Sequence, residues 1–206
     1  PEQVRGFQAQ IDSVVAAIDY DIKPGMSDYE IALDIYQSVI NITDYDSIGI
    51  NQKREGDAQT PDELRNIYGL FVNKRSVCAG YAKATQYLLQ KYGIESVYLS
   101  NEGHAWNLAK LDGDYYHIDA TYGDGSDTDP AKSFSREVNY AYFCMTTQQV
   151  NNLEYHYMGY DMELPECTSE KYNYYIMNGT YLETADYGKF GLMLEKRMLE
   201  GYDTLA

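Results

Sequence analysis

The hydrophobic period of this chain changes near Gly93, and that change limits the fold more than any other feature. Before it, apolar residues recur every three or four positions. After it, they fall in short runs between turn residues. Val4, Phe7, Ile11, Val14, Val15 and Ile18 define one face of a helix that Lys23-Pro24-Gly25 ends. Ser27-Asp28-Tyr29-Glu30 is a capping-box pattern, so a second helix carries Ile31, Ile35 and Val39 towards Ile42. Thr60-Pro61-Asp62-Glu63 predicts a third helix through Leu64, Ile67 and Phe71. Ser76 is the expected cap of a fourth, which ends at Tyr92 with Gly93 in the left-handed conformation. Val97-Tyr98-Leu99, Ala105–Leu111 and Tyr115–Thr121 then read as strands, the last two joined by the hairpin signal Asp112-Gly113. Further on, Tyr140–Met145 and Tyr172–Met177 read as strands, Thr147–Leu153 as a short helix and Phe190–Leu199 as a helix. Helices followed by an antiparallel sheet predict an α+β fold.

Composition narrows the function. A length of 206 residues suits one sizeable domain, and no apolar run approaches the roughly 20 residues of a membrane span. With 32 acidic and 16 basic residues the formal net charge is −16, which repels phosphate backbones and anionic lipid. Simple solubility accounts for such a field, and a basic peptide or an acid-tolerant extracellular setting also fits it. The start at Pro1 suggests a processed form. Many of the 23 tyrosines fall between Tyr140 and Tyr187, as a core periphery or a polymer-gripping groove. Three cysteines allow one disulfide at most, and if Cys78 is reserved for chemistry the pair must be Cys144 and Cys167.

The chemistry concentrates in three short stretches: Val77-Cys78-Ala79-Gly80-Tyr81-Ala82, Gly103-His104-Ala105-Trp106-Asn107 and Tyr115-Tyr116-His117-Ile118-Asp119-Ala120-Thr121. Cys78 falls in the first turn of its helix, where unpaired N–H groups favour a thiolate and can hold an oxyanion. His104 precedes a strand, and Trp106 two residues on shares its face and can shield the imidazole. The hairpin brings Asp119 near His104, and a carboxylate between Ile118 and Ala120 requires a partner. A nucleophilic thiol, its base and an orienting carboxylate are therefore present together. His117, on the face of Asp119, is a rival base, and His156 reads as a rim residue. The three histidines are scattered and no Cys-x-x-Cys pair exists, so no metal or other cofactor is expected. Asp124, Asp127 and Asp129 lack calcium-loop spacing and read as a solvated acidic loop.

Val-Cys-x-Gly-Tyr-Ala at Cys78, His-Ala-Trp-Asn at His104 and Tyr-x-x-Asp-x-Thr at Asp119 together resemble the three motifs of the transglutaminase-like superfamily. The resemblance covers Leu64 to Tyr155, taking in Tyr68-Gly69-Leu70 and the Tyr142-Phe143 segment. It implies a papain-like fold with Cys78 as nucleophile, His104 as general base and acid, and Asp119 as the orienting group. It leaves the second oxyanion donor open, with Tyr68 and Asn73 as candidates and Trp106 beside the groove. The absent Cys-x-x-Cys pair argues against the superfamily's peptide N-glycanase branch. The division expected is a helical region over 1–60, a catalytic core over 61–164 and an extension over 165–206 packed on the same domain. The activity expected is thiol-dependent acyl transfer on a peptide or protein amide, as a cysteine peptidase or amidase. Transglutaminase cross-linking is the alternative, and a surface or cell-wall binding module is the rival from another class. The family's frequent export in bacteria implies an extracellular or surface-attached protein, and a monomer is expected.

Overall fold

In the computed structural model, which describes residues 2–51, 62–101, 103–133, 137–153, 164–182 and 186–201, the change of period is the passage from helices to sheet. Helix α1 (Glu2–Asp21) buries Ile11, Val15 and Ile18, as its spacing predicts. Helix α2 (Asp28–Asn41) begins at the expected capping box, with Ser27 and Glu30 satisfying each other's backbone N–H groups. A two-residue strand β1 (Asp44–Tyr45) follows, then a short helix α3 (Ser47–Asn51).

The third helix is broken where one was expected. Asp62–Arg65 is a 3-10 turn, and α4 (Ile67–Phe71) restarts after it, while Thr60 and Pro61 lie outside the described residues. The cause is Asn66, whose side chain accepts the N–H groups of Tyr68 and Gly69 at 2.9 and 3.2 Å. That local bond competes with continuation of the helix. Strand β2 (Arg75–Ser76) pairs in parallel with β1. Helix α5 (Cys78–Lys91) then packs on α2, α4 and the sheet, and Gly93 takes a φ of 79° at its end. Val77 rather than Ser76 is its N-cap.

The sheet is an antiparallel meander of β3 (Ser96–Ser100), β4 (Ala105–Leu111) and β5 (Asp114–Ile118). The β4–β5 turn has Asp112 and Gly113 both at positive φ, as the Asp-Gly signal predicts. Strand β4 is buried almost throughout because both of its faces are covered. Ala109 and Leu111 join the main core, and Trp106 and Leu108 meet Leu99 and Cys167 in a second cluster. Mixed helix and antiparallel sheet make the fold α+β.

Several later segments differ from expectation. Strand β5 stops at Ile118, and Asp119 caps a short helix α6 (Ala120–Gly123). Tyr140–Tyr142 is a 3-10 turn capped by Asn139, and of the expected strand there only a bridge between Met145 and His117 remains. Cys144, at a φ of 56°, interrupts the extended run. Helix α7 (Thr147–Asn151) forms as predicted, but Tyr174–Met177 is a helix, α8, because Asn173 caps it. Helix α9 (Tyr187–Leu199) closes the described chain. All three cysteines are free thiols, with Cys144 and Cys167 buried. Among the described residues no helix is long and apolar enough to cross a membrane.

Candidate active site

The start of α5 is pinned before any chemistry is considered. Leu64 O accepts both the Val77 N–H at 3.0 Å and the Ser76 hydroxyl at 2.8 Å. Gly80 allows this close approach, since a Cβ there would meet Ser76 Oγ at 1.9 Å and Leu64 O at 2.9 Å. No side chain caps the helix, so the N–H groups of Cys78 and Ala79 have no partner within it. Half-buried Cys78 borders a cleft of about 370 Å3, together with Tyr45, Tyr98, Asn101, Gly103 and His104.

His104 is placed by the turn between β3 and β4. Asn101 Oδ1 accepts the N–H groups of Gly103 and His104 at 2.9 and 2.8 Å, and the Ser100–Ala105 pairing closes the turn. An Asn two residues ahead of a Gly is a local pattern that favours such an Asx turn. The imidazole Nε2 lies 2.7 Å from Asp119 Oδ2, with side-chain exposures of 7% and 0%. Nε2 is committed to Asp119, and Cys78 borders the same cleft as the ring. Trp106 stacks on the imidazole at 5.8 Å between centroids and 14° between planes, while Tyr122 lies 4.6 Å away, tilted by 50°.

Asp119 is held by its role at the head of α6. Its Oδ1 accepts the N–H groups of Thr121 and Tyr122 at 3.0 and 3.1 Å, which leaves Oδ2 for His104. Burial works to keep His104 neutral, but the hydrogen bonds and charges of Asp119 and Cys78 overcome it and push its pKa up to about 9. The ring therefore carries its proton through the neutral range.

The other candidates lie elsewhere. Tyr68 turns its hydroxyl to Gln10 at 3.0 Å and stacks edge-on against Phe7, and Asn73 is exposed beyond α4. Neither borders the Cys78 cleft. His117 is buried, with Nδ1 accepting the Trp106 indole N–H at 3.1 Å and Nε2 3.4 Å from Thr147 Oγ1. It thus supports the tryptophan that covers His104. His156 lies outside the described residues. Asp124 and Asp127 are engaged by Tyr81 and Ser47, and Asp129 pairs with Lys132. Among the described residues no group of His, Cys, Asp and Glu is arranged to hold a metal ion. Sequence reasoning missed Tyr45 and Tyr122 at the site. Tyr45 reaches it only through the long-range β1–β2 pairing, which leaves no local signal.

No protein-family model matches the chain, and no curated protein matches it. A solved structure of a TGase is similar to it at 17% identity, covering 59% of this chain and 33% of that one, with a TM-score of 0.47. The match thus spans about a third of that protein's length. The functional reading rests on the geometry of the cleft.

Proposed function

We propose that the protein is a thiol-dependent acyltransferase of papain-like arrangement that attacks amide bonds in peptides or proteins, with hydrolysis as its principal outcome. One observation carries this reading: the His104 ring is held by the buried Asp119 carboxylate, at 2.7 Å, and borders the same open cleft as Cys78. A protonated His104 stands ready as the acid for the departing group, and the bare helix start places partial positive charge beside the sulfur.

The steps then balance. The Cys78 thiolate attacks the amide carbonyl, and the resulting oxyanion is met by the Cys78 N–H at the helix start. His104 gives its proton to the departing nitrogen, the C–N bond breaks, and a thioester remains on Cys78. Neutral His104 next takes a proton from water as the water attacks the thioester. The acid is released, and the sulfur leaves as thiolate beside a re-formed imidazolium. Asp119 keeps the ring oriented and stabilises its charged form without taking the proton.

Transamidation is the second reading, and a specific feature favours it. A second cleft of about 370 Å3 borders His104 from the side of Thr121, Asp124 and Asp127. A primary amine entering there would meet Asp124 and Asp127, alongside Lys132, and the base that must deprotonate it.

Both readings are tested by mass spectrometry of a peptide library incubated with and without a primary amine. Shortened peptides that require Cys78 support hydrolysis, and amine adducts that require Cys78 support transamidation. No change in either, with Cys78 alkylated by iodoacetamide no faster than a free thiol, would leave a non-catalytic binding module as the better account.

A further inference from the structure

The two clefts that meet at His104 differ in charge. Asp124, Asp127 and Lys132 border the one without the sulfur. Around the one that contains Cys78, Arg65 is the single formally charged side chain besides His104 among the described residues. In a chain with twice as many acidic as basic residues, a lining whose described residues include one arginine and no carboxylate runs against the overall field.

Arg65 is also fixed relative to the sulfur. It ends the Asp62–Arg65 turn, and the preceding Leu64 carbonyl binds Ser76 and Val77 at the head of α5. Its own carbonyl accepts the Lys83 ammonium, from the same helix, at 2.9 Å. The backbone is therefore tied to the Cys78 helix on both sides of the residue. Its side chain is exposed and enters none of the ion pairs found among the described residues. Tyr98, on the cleft wall, is within electrostatic reach of both groups. Burial raises its hydroxyl pKa and the Cys78 sulfur raises it further, while a hydrogen bond with Ser100 and, to a lesser extent, Arg65 lower it.

We propose that Arg65 binds a carboxylate of the acyl donor, so that the amide attacked by Cys78 belongs to an anionic peptide. A planar guanidinium that enters no ion pair among the described residues is the side chain best suited to a two-point grip on a carboxylate. The carboxylate is an Asp or Glu side chain beside the attacked bond, or a free C-terminus. The long-range field of the molecule favours cationic partners, so this selectivity is local: Arg65 offsets the repulsion at the one place where the reaction occurs. The proposal rests on the acyl-transfer reading.

The test compares two alkylating probes that differ in charge. Iodoacetate and iodoacetamide both form an S–C bond to Cys78 and release iodide, but only the first is an anion. The ratio of their rates cancels general changes in sulfur reactivity. Arg65→Gln is expected to lower the iodoacetate-to-iodoacetamide ratio roughly threefold, and Arg65→Glu about tenfold. Rapid labelling with a ratio unmoved by either variant overturns the role of Arg65 and leaves acyl transfer standing. Labelling no faster than that of a free thiol with both probes removes both proposals. Peptides with Glu or Gln beside each candidate bond, each with a free or amidated C-terminus, then distinguish the source of the carboxylate. Equal turnover of all four also overturns the proposal.

Discussion

At the scale of single residues, His104 is where burial and charge oppose each other, and charge wins. Its folded pKa of about 9 lies above the ordinary 6.5, so the folded chain holds this proton where the unfolded chain releases it. The resulting stability is fully present below pH 6.5 and is lost as pH rises through about 9, at most about 3 kcal/mol in all. Denaturant midpoints of the native protein and His104→Gln, measured across that window, should converge as the pH rises. A constant difference would mean that the ring is not charged in the folded state. A second expectation concerns His117, which accepts the Trp106 indole N–H. His117→Phe orphans that buried donor at about 1–3 kcal/mol, and His117→Gln, which keeps an acceptor, should recover part of the loss. If Trp106 positions His104, iodoacetamide labelling of Cys78 should slow in the first variant and partly return in the second. Cys78, His104 and Asp119 were legible because each stands in a motif with its own local context. The Trp106–His117 bond was not, because it depends on cross-strand geometry that no single stretch of sequence contains.

At the scale of elements, the sequence was clearest where periodicity and capping agreed. Helix α2 has both its apolar face and its Ser27–Glu30 box, and β4–β5 has a turn that demands positive φ. It misled at Tyr140–Met145 and Tyr172–Met177, where aromatic runs suit strands but Asn139 and Asn173 cap helical turns instead. The same competition breaks the third helix at Asn66 and delivers Arg65 to the cleft. Close packing there makes Gly69 the vulnerable position, since a Cβ would lie 1.9 Å from Glu63 O. That neighbour is backbone and cannot rotate away. Gly69→Ala should therefore cost about 1–3 kcal/mol and disturb the Arg65 turn. Gly6 in α1 has nothing within 4 Å, and Gly6→Ala should instead stabilise by about 0.5–1 kcal/mol through helix propensity. Thermal unfolding of the two variants checks the signs, and a stabilised Gly69→Ala would contradict the packing described.

At the scale of the whole molecule, one hydrophobic cluster runs from Ile11 of α1 to Tyr172 beyond the sheet, so early and late segments share a core. Tyr172 illustrates how the tail is held. Its ring lies 4.8 Å from Tyr29 and 5.6 Å from Tyr116, and its hydroxyl bonds Asp112. Around this core the net charge of −16 sets a field that composition revealed, whereas the local reversal at Arg65 required coordinates. The two contributions differ in range, and salt separates them. Screening acts over about 30 Å at 0.01 M salt and about 10 Å at 0.1 M, so added salt weakens distant charges most. In Arg65→Gln only the general repulsion opposes iodoacetate, and its labelling of Cys78 should rise roughly twofold between those concentrations. In the native protein the rise should be smaller, because salt also screens the attraction of Arg65. Iodoacetamide, being neutral, should respond to salt in neither. A fall in iodoacetate labelling of Arg65→Gln as salt is added would mean that the sulfur lies in a net positive field even without the arginine, and the selectivity would then have to be assigned to His104.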